Sequence, residues 1–186
     1  MTIRKIASMV ATFIGWRELK NYIDTDEGYY GECVEKAKQT LTELTNVVIN
    51  ELACSYIPAL TVEDVTSVNG RVYYNTLSKT PLKVIKVCDR FGNELAFSSS
   101  PEYITVGSSA VTVEYEYAPE AVGFNDNICY MEKDVPARVI AYGVTAEYCI
   151  VDGDFDQAVM WHKRYTDAVA DICLPKNATV KRRSWA

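Results

Sequence analysis

The sequence predicts an α+β protein: a helical bundle built from the N- and C-terminal segments, with an inserted small antiparallel β-sandwich or barrel and an extended C-terminal arm. Three observations predict it. Apolar residues recur at spacings of three and four from about residue 30 to 52, and again from 135 to 172, the period of a helix with one buried face. Residues 62–119 are instead rich in Val, Thr, Tyr and Ile, with period-two stretches broken by turn residues. Beyond Pro175 the periodicity stops and cations accumulate. The domain organisation follows: residues 1–60 and 134–175 form a discontinuous helical domain, 61–133 the β insertion with its connection, and 176–186 the arm.

The first helix is expected over residues 2–20, where Ile3, Ile6, Val10, Phe13 and Ile14 supply a packing face. Arg4 and Lys5 precede this run as in a signal peptide, but Arg17, Glu18 and Lys20 interrupt it and no small-residue cleavage pattern follows, so it is read as part of the fold. A turn over 21–26 leads into a long helix from Asp24 to Tyr56, with Asp24 as N-cap and Glu27 completing a capping box. Tyr30, Val34, Ala37, Leu41, Leu44, Val48 and Leu52 form its buried stripe, and Pro58 ends it by removing a donor and restricting Ile57.

Three hairpins are expected in the β segment. Asn69-Gly70 joins residues 65–68 to 71–74 through a turn in which both residues tolerate positive φ. Residues 90–93 join 83–89 to 94–98, and Gly107-Ser108-Ser109 joins 103–106 to 110–117. In the last strand Val111, Val113, Tyr115 and Tyr117 alternate with Thr112, Glu114 and Glu116, the pattern of a half-buried antiparallel sheet. Residues 120–133 carry no structural signal. Asp134-Val135-Pro136 then opens a helix that is apolar nearly all round to Ile150, with small Ala141, Gly143 and Ala146, and should be central to the bundle. Asp154 and Gln157 cap the last helix, whose stripe is read as Phe155, Ala158, Val159, His162, Tyr165, Val169 and Ile172.

Chemistry is sparse. The chain carries 48% hydrophobic and 24% charged residues, a globular composition, and its net charge of -6 argues against sequence-independent nucleic-acid binding. The six cysteines stand singly, without zinc-site spacing, and read as small buried hydrophobes of a reducing compartment. His162 is the one histidine and lacks an adjacent nucleophile. Asp152-Gly153-Asp154-Phe155-Asp156 opens like a calcium loop, but Gln157 and Lys163 stand where its glycine and bidentate glutamate belong, so the aspartates read as helix N-terminal charges. No phosphate loop, nucleophile elbow or zinc-protease pattern occurs. The expectation is therefore a protein that is not an enzyme, with no cofactor, no metal and no membrane span. The remaining oddity is the arm, where Lys181, Arg182, Arg183 and Trp185 bring together residue types that dominate interface hot spots.

The helix around Tyr30 to Tyr56, the sheet ending at 113–119, the run 138–148, the helix carrying Trp161 to Tyr165 and the Arg182-Arg183-Ser184-Trp185 end together resemble, in layout and texture, the head-to-tail connector or adaptor proteins of tailed bacteriophages. The resemblance implies a virion structural protein of the neck, made in the host cytoplasm. It would form a homo-oligomeric ring, twelve-fold in these families, beneath the portal protein. The arm residues Lys181, Arg182, Arg183 and Trp185 would be the portal contacts, and a downstream neck or tail protein would bind the other end. DNA would pass through an acidic lumen without sequence-specific binding. The alternatives are another tail role (completion or tail tip), a β-sandwich binding module with Tyr73, Tyr74 and Tyr103 as a stacking platform, or an enzyme using His162 or a carboxylate pair.

Overall fold

The computed structural model describes residues 1–25, 31–128 and 135–173. It is mixed helix and sheet. α1 (Ile3–Phe13), α2 (Arg17–Thr25) and α3 (Glu32–Ser55) precede the strands β1 (Ala59–Thr66), β2 (Arg71–Tyr73), β3 (Pro81–Asp89), β4 (Phe97–Ser99), β5 (Tyr103–Val106) and β6 (Ala110–Tyr117). α4 (Ala137–Asp152) and α5 (Phe155–Cys173) follow.

The N-terminal region is two helices instead of one. Thr2 caps α1 by accepting from the Lys5 amide at 3.3 Å, a contact worth about 1 kcal/mol. At the other end Gly15, with φ +74°, closes a Schellman-type turn in which the Trp16 amide reaches back to the Ala11 carbonyl at 2.9 Å. A side chain at that φ would be strained, so the chain must break there. α2 then folds back along α1, and Arg4 Nε donates to the Ile23 carbonyl at 2.7 Å, satisfying the end of α2.

Asp24 is therefore not the N-cap of the long helix. It belongs to the last turn of α2, where its carboxylate accepts from Lys20 at 2.6 Å and Ser8 at 2.7 Å. Those two hydrogen bonds hold its carboxyl below the ordinary range. α3 starts at Glu32 behind Gly31 and ends before Pro58, as expected. Glu27 and Tyr30 lie outside the described residues, whereas Val34, Ala37, Leu41, Val48 and Leu52 are all buried.

α4 is the central helix. Val139, Ile140, Ala141, Gly143, Val144, Thr145, Ala146 and Cys149 are buried, and α1, α3 and α5 all pack against it. Pro136 is its N-cap, one position before the first turn; Asp134 lies outside the described residues. Gly143 permits the approach of α3 and α5, because a Cβ there would stand 2.9 Å from Val48 Cγ1 and 3.0 Å from Tyr165 Cε2. Asp154 and Gln157 form the expected cap of α5, with the Gln157 amide 3.2 Å from Asp154 Oδ1 and its side-chain nitrogen 2.9 Å from Oδ2.

The buried face of α5 matches the expected one at Ala158, Tyr165 and Val169 and is rotated from it elsewhere. Ala158, Trp161, Tyr165 and Val169 are buried, while Phe155, Val159 and His162 are exposed. Trp161 draws the helix round: its indole packs in a three-ring cluster with Phe13 (centroids 4.9 Å apart) and Tyr142 (5.7 Å), which are themselves 5.5 Å apart.

The β segment forms two three-stranded antiparallel sheets, ordered β1-β6-β3 and β2-β5-β4, and among the described residues neither closes into a barrel. Two of the three expected turns form as hydrogen-bonded turns, and 107–109 is a bend between β5 and β6, which do not pair. Asn69 and Gly70 have φ of 54° and 72°, and Val68 and Arg71 exchange hydrogen bonds of 2.8 and 3.0 Å across them. Asp89 organises the second turn by accepting from the amides of Phe91 and Asn93. The strands beside these turns nevertheless separate: β1, β3 and β6 belong to one sheet, and β2, β4 and β5 to the other. The hairpins are corners between sheets, whose inner faces share one apolar cluster containing Val72, Val87, Ile104, Val113 and Tyr115.

A separate cluster fills the helical part. The chain returning from β6 is stitched to it: Asn46 exchanges two hydrogen bonds with the Val122 backbone (2.8 and 3.0 Å), Arg4 N donates to the Phe124 carbonyl and Ile128 N to that of Met1. Replacing Gly143 by Val should wedge α3 and α5 away from α4 and lower stability by about 1–3 kcal/mol in urea denaturation, despite the better helix propensity of valine.

Candidate functional site

The expected portal-docking residues Lys181, Arg182, Arg183 and Trp185 lie outside the described residues. The described chain ends with α5 at Cys173, whose Sγ sits 3.9 Å from the carbonyl of Tyr56, in the passage from α3 into β1.

The sheet β1-β6-β3 has the more distinctive surface. On its outer face Leu60, Val62 and Asp64 of β1 stand beside Glu116, Glu114 and Thr112 of β6, and these beside Lys83, Lys86 and Cys88 of β3. The lysine-glutamate neighbours are the opposite-charge pairing that favours a ladder. β1 turns two of its apolar side chains outward, with Leu60 55% and Val62 60% exposed, and turns Thr61 and Glu63 inward beside Ala59 and Val65.

Glu63 is a carboxylate of the sheet with three donors. It accepts from Tyr115 OH at 2.5 Å, from the Ser78 amide at 3.0 Å and from Ser78 Oγ, tying the loop before β3 to the sheet. Burial raises its carboxyl, but the three donors outweigh burial and hold it below the ordinary glutamate value. Burial and the Glu63 charge push the Tyr115 phenol upward in turn. No sequence motif marks this cluster; its signal is the inversion of β1, with a carboxylate on the face its neighbours make apolar.

The other sheet carries the aromatic candidates. Tyr73 and Tyr103 share its outer face, with ring centroids 5.5 Å apart and edge-on, and the Arg71 guanidinium lies 4.6 Å from the Tyr103 ring. Tyr74 has entered a short 3-10 turn and does not extend the pair. The structure brings together two of the three tyrosines, with a cation over one of them.

At the α4–α5 corner, Ile150, Val151, Phe155 and Val159 are between 47% and 71% exposed. Such a concentration of large apolar side chains marks a contact surface more than scattered single ones do. His162 continues this exposed side, its ring 6.3 Å from that of Tyr165. The Tyr165 hydroxyl donates to Glu51 at 3.3 Å, and burial followed by the Glu51 charge drives its phenol far above the ordinary range.

Among the described residues no group of three or more His, Cys, Asp or Glu is placed to hold a metal ion. Cys33, Cys54, Cys88, Cys149 and Cys173 are free; Cys149 is buried, whereas Cys33, Cys54 and Cys173 are exposed, contrary to the expectation of buried thiols. Their helices turn those positions away from the stripe. Cys129 lies outside the described residues. No helix among the described residues is long and apolar enough to cross a membrane. A scan against protein-family models finds no match, and a search of the curated proteins finds none.

Glu63→Gln should lower stability by about 1 kcal/mol at neutral pH, because a charge-assisted acceptor of three hydrogen bonds is lost. The wild-type contribution is present above the unfolded carboxyl value and is lost as pH falls through the lower folded one. Urea denaturation from pH 7 to 3 should therefore show a smaller acid-side decline in the variant than in the wild type.

Proposed function

We propose that this protein is a non-enzymatic structural component of a tailed-phage neck: a head-to-tail connector that forms a ring under the portal and continues the DNA channel toward the tail. The observation that supports it best is the exposed apolar corner of Ile150, Val151, Phe155 and Val159 on a bundle already closed around α4. A monomer leaves that area in water, whereas a ring covers it with the neighbouring copy. In this reading the helices of both chain ends make the ring body, and the insertion, a small sandwich, extends the wall or meets the next tail protein. Residues 176–186 dock on the portal through Lys181, Arg182, Arg183 and Trp185. The net charge of -6 suits a lumen along which DNA slides without being held.

A second reading, a β-sandwich binding module, is favoured by one observation, the Tyr73–Tyr103 pair beneath Arg71 on an open sheet face. Solution mass separates the two. A connector gives a large complex of fixed stoichiometry when mixed with the portal protein of its own virus, and a binding module remains monomeric.

Deleting residues 176–186 should abolish that complex in light scattering and leave the helical circular dichroism unchanged. Global unfolding of the truncated chain would remove the distinction between docking element and fold. Reversing Arg182 and Arg183 to glutamate should weaken attachment, and the loss should shrink as salt is raised, since screening acts on both proteins' charges. Equal binding by the doubly reversed chain would take these cations out of the interface.

A further inference from the structure

The four sheet edges of this protein are not alike. β2 and β4 are three residues long, too short to template another strand. β3 begins at Pro81, carries Lys83 and Lys86, and breaks register twice, which pushes Leu82 and Ile85 out as bulged residues. Shortness, bulges, proline and lysine are the devices by which proteins block edge-to-edge pairing. β1 has none of them. Its eight residues pair with β6 in unbroken register from Ala59 to Thr66.

The direction of its free groups follows from the ladder. The Ser67 amide donates to the Ser109 carbonyl at 2.8 Å, one step beyond the Thr66–Ala110 pair. In an antiparallel ladder alternate residues face the same way. Val65, Glu63, Thr61 and Ala59 thus bond to β6, and the amides and carbonyls of Leu60, Val62, Asp64 and Thr66 point away from it. Among the described residues no strand lies on that side. The same four residues have exposed side chains.

We propose that the β1 edge is a strand-addition site for an extended, cationic segment of another protein. The backbone of Leu60, Val62, Asp64 and Thr66 would supply the hydrogen bonds, and the outward Leu60 and Val62 would pack against its apolar side chains. Charge sets the kind of partner. The charges of β1 are Glu63 and Asp64, with no cation on the strand, and Glu114 of β6 stands beside Val62. Pairing β1 with a second β1 would gather four carboxylates within one small ladder, an arrangement that like-charge repulsion disfavours. A segment that alternates valine-like residues, on the face of Leu60 and Val62, with lysine- or arginine-like residues, on the face of Glu63, meets both demands. The inference is independent of whether the chain forms a ring.

Amide hydrogen exchange on the full chain tests it, with a blocked octapeptide of alternating lysine and valine as probe and its glutamate-valine counterpart as control. In the free protein Leu60, Val62, Asp64 and Thr66 should exchange rapidly, while Thr61, Glu63 and Val65 are protected by β6. The lysine peptide should slow the first set at least tenfold, and the glutamate peptide should not. Val62→Pro removes only an outward donor, is tolerated on an edge strand, and should keep the β6-side protection while abolishing the response. Should that variant not fold, Val62→Lys, which only changes an exposed side chain, should also abolish it. No slowing by the lysine peptide, or equal slowing by both peptides, would overturn the proposal. So would protection of the edge amides in the free chain: at monomer mass the chain's own segment occupies the edge, and at doubled mass a second copy does.

Discussion

The whole architecture depends on α4 having no polar side to show to water. Its buried positions occupy every sector of the helix, and at Gly143 two neighbours come close enough that one methyl group would collide with both Val48 and Tyr165. A helix of this kind is stable only when several others enclose it. Here the covering helices come from both ends of the chain, α1 and α3 from before the sheets and α5 from after α4. The insertion therefore has to leave the bundle and return to it. The hydrogen bonds from Asn46 to Val122, from Arg4 to Phe124 and from Ile128 to Met1 are where the return is fastened. The Asn46 side chain is suited to this because it presents a donor and an acceptor together, matching the two groups of one backbone residue.

What was legible in the sequence divides along the range of the forces involved. Turns are local, and Asn69-Gly70 and the Asp89 turn form where their residues demand, while 107–109 changes the chain's direction as a bend. Strand partners are not local: each of those turns joins strands of different sheets, which depends on how two apolar faces meet and leaves no mark in an individual strand. The alternation in β6 succeeds because one of its faces is wholly buried, Val111, Val113, Tyr115 and Tyr117 alike. In α5 the expected stripe was right at Ala158, Tyr165 and Val169 but took in Phe155, Val159 and His162 and missed Trp161, because Phe155 and Val159 are as apolar as the residues that won. The winner was set by Phe13 and Tyr142, which come from two other helices and hold Trp161. Asp24 was misplaced for a related reason. An aspartate before a polar stretch has the same local signature whether it opens one helix or is held by Lys20 and Ser8 at the close of another.

Of the candidate functional surfaces, the arm was legible only as composition. The Glu63 cluster was legible in principle, since β1 reads apolar at Leu60 and Val62 and polar at Thr61 and Glu63, but which phase faces the core cannot be told from one strand. The sheet register resolves it. Val113 and Tyr115 define the inner face, and Glu63 lies among them with a tyrosine hydroxyl, a serine hydroxyl and an amide as its donors.

That inversion has an energetic meaning. Leaving Leu60 and Val62 more than half exposed forgoes roughly 1 kcal/mol each relative to burial, and turning a carboxylate inward costs more unless its lone pairs are met. The sequence meets the second cost with Ser78 and Tyr115 and leaves the first unmet within the described fold. Exchanging the phases of β1 would bury Leu60 and Val62, but it would also expose Ala59 and Val65 and turn Asp64 inward, so the strand as it stands keeps one inward carboxylate, Glu63, with its donors in place. An outward apolar pair, an unbroken ladder and four outward amides on one strand gain their worth together when something is laid against them. The exposed residues of the α4–α5 corner obey the same reasoning at the other part of the molecule.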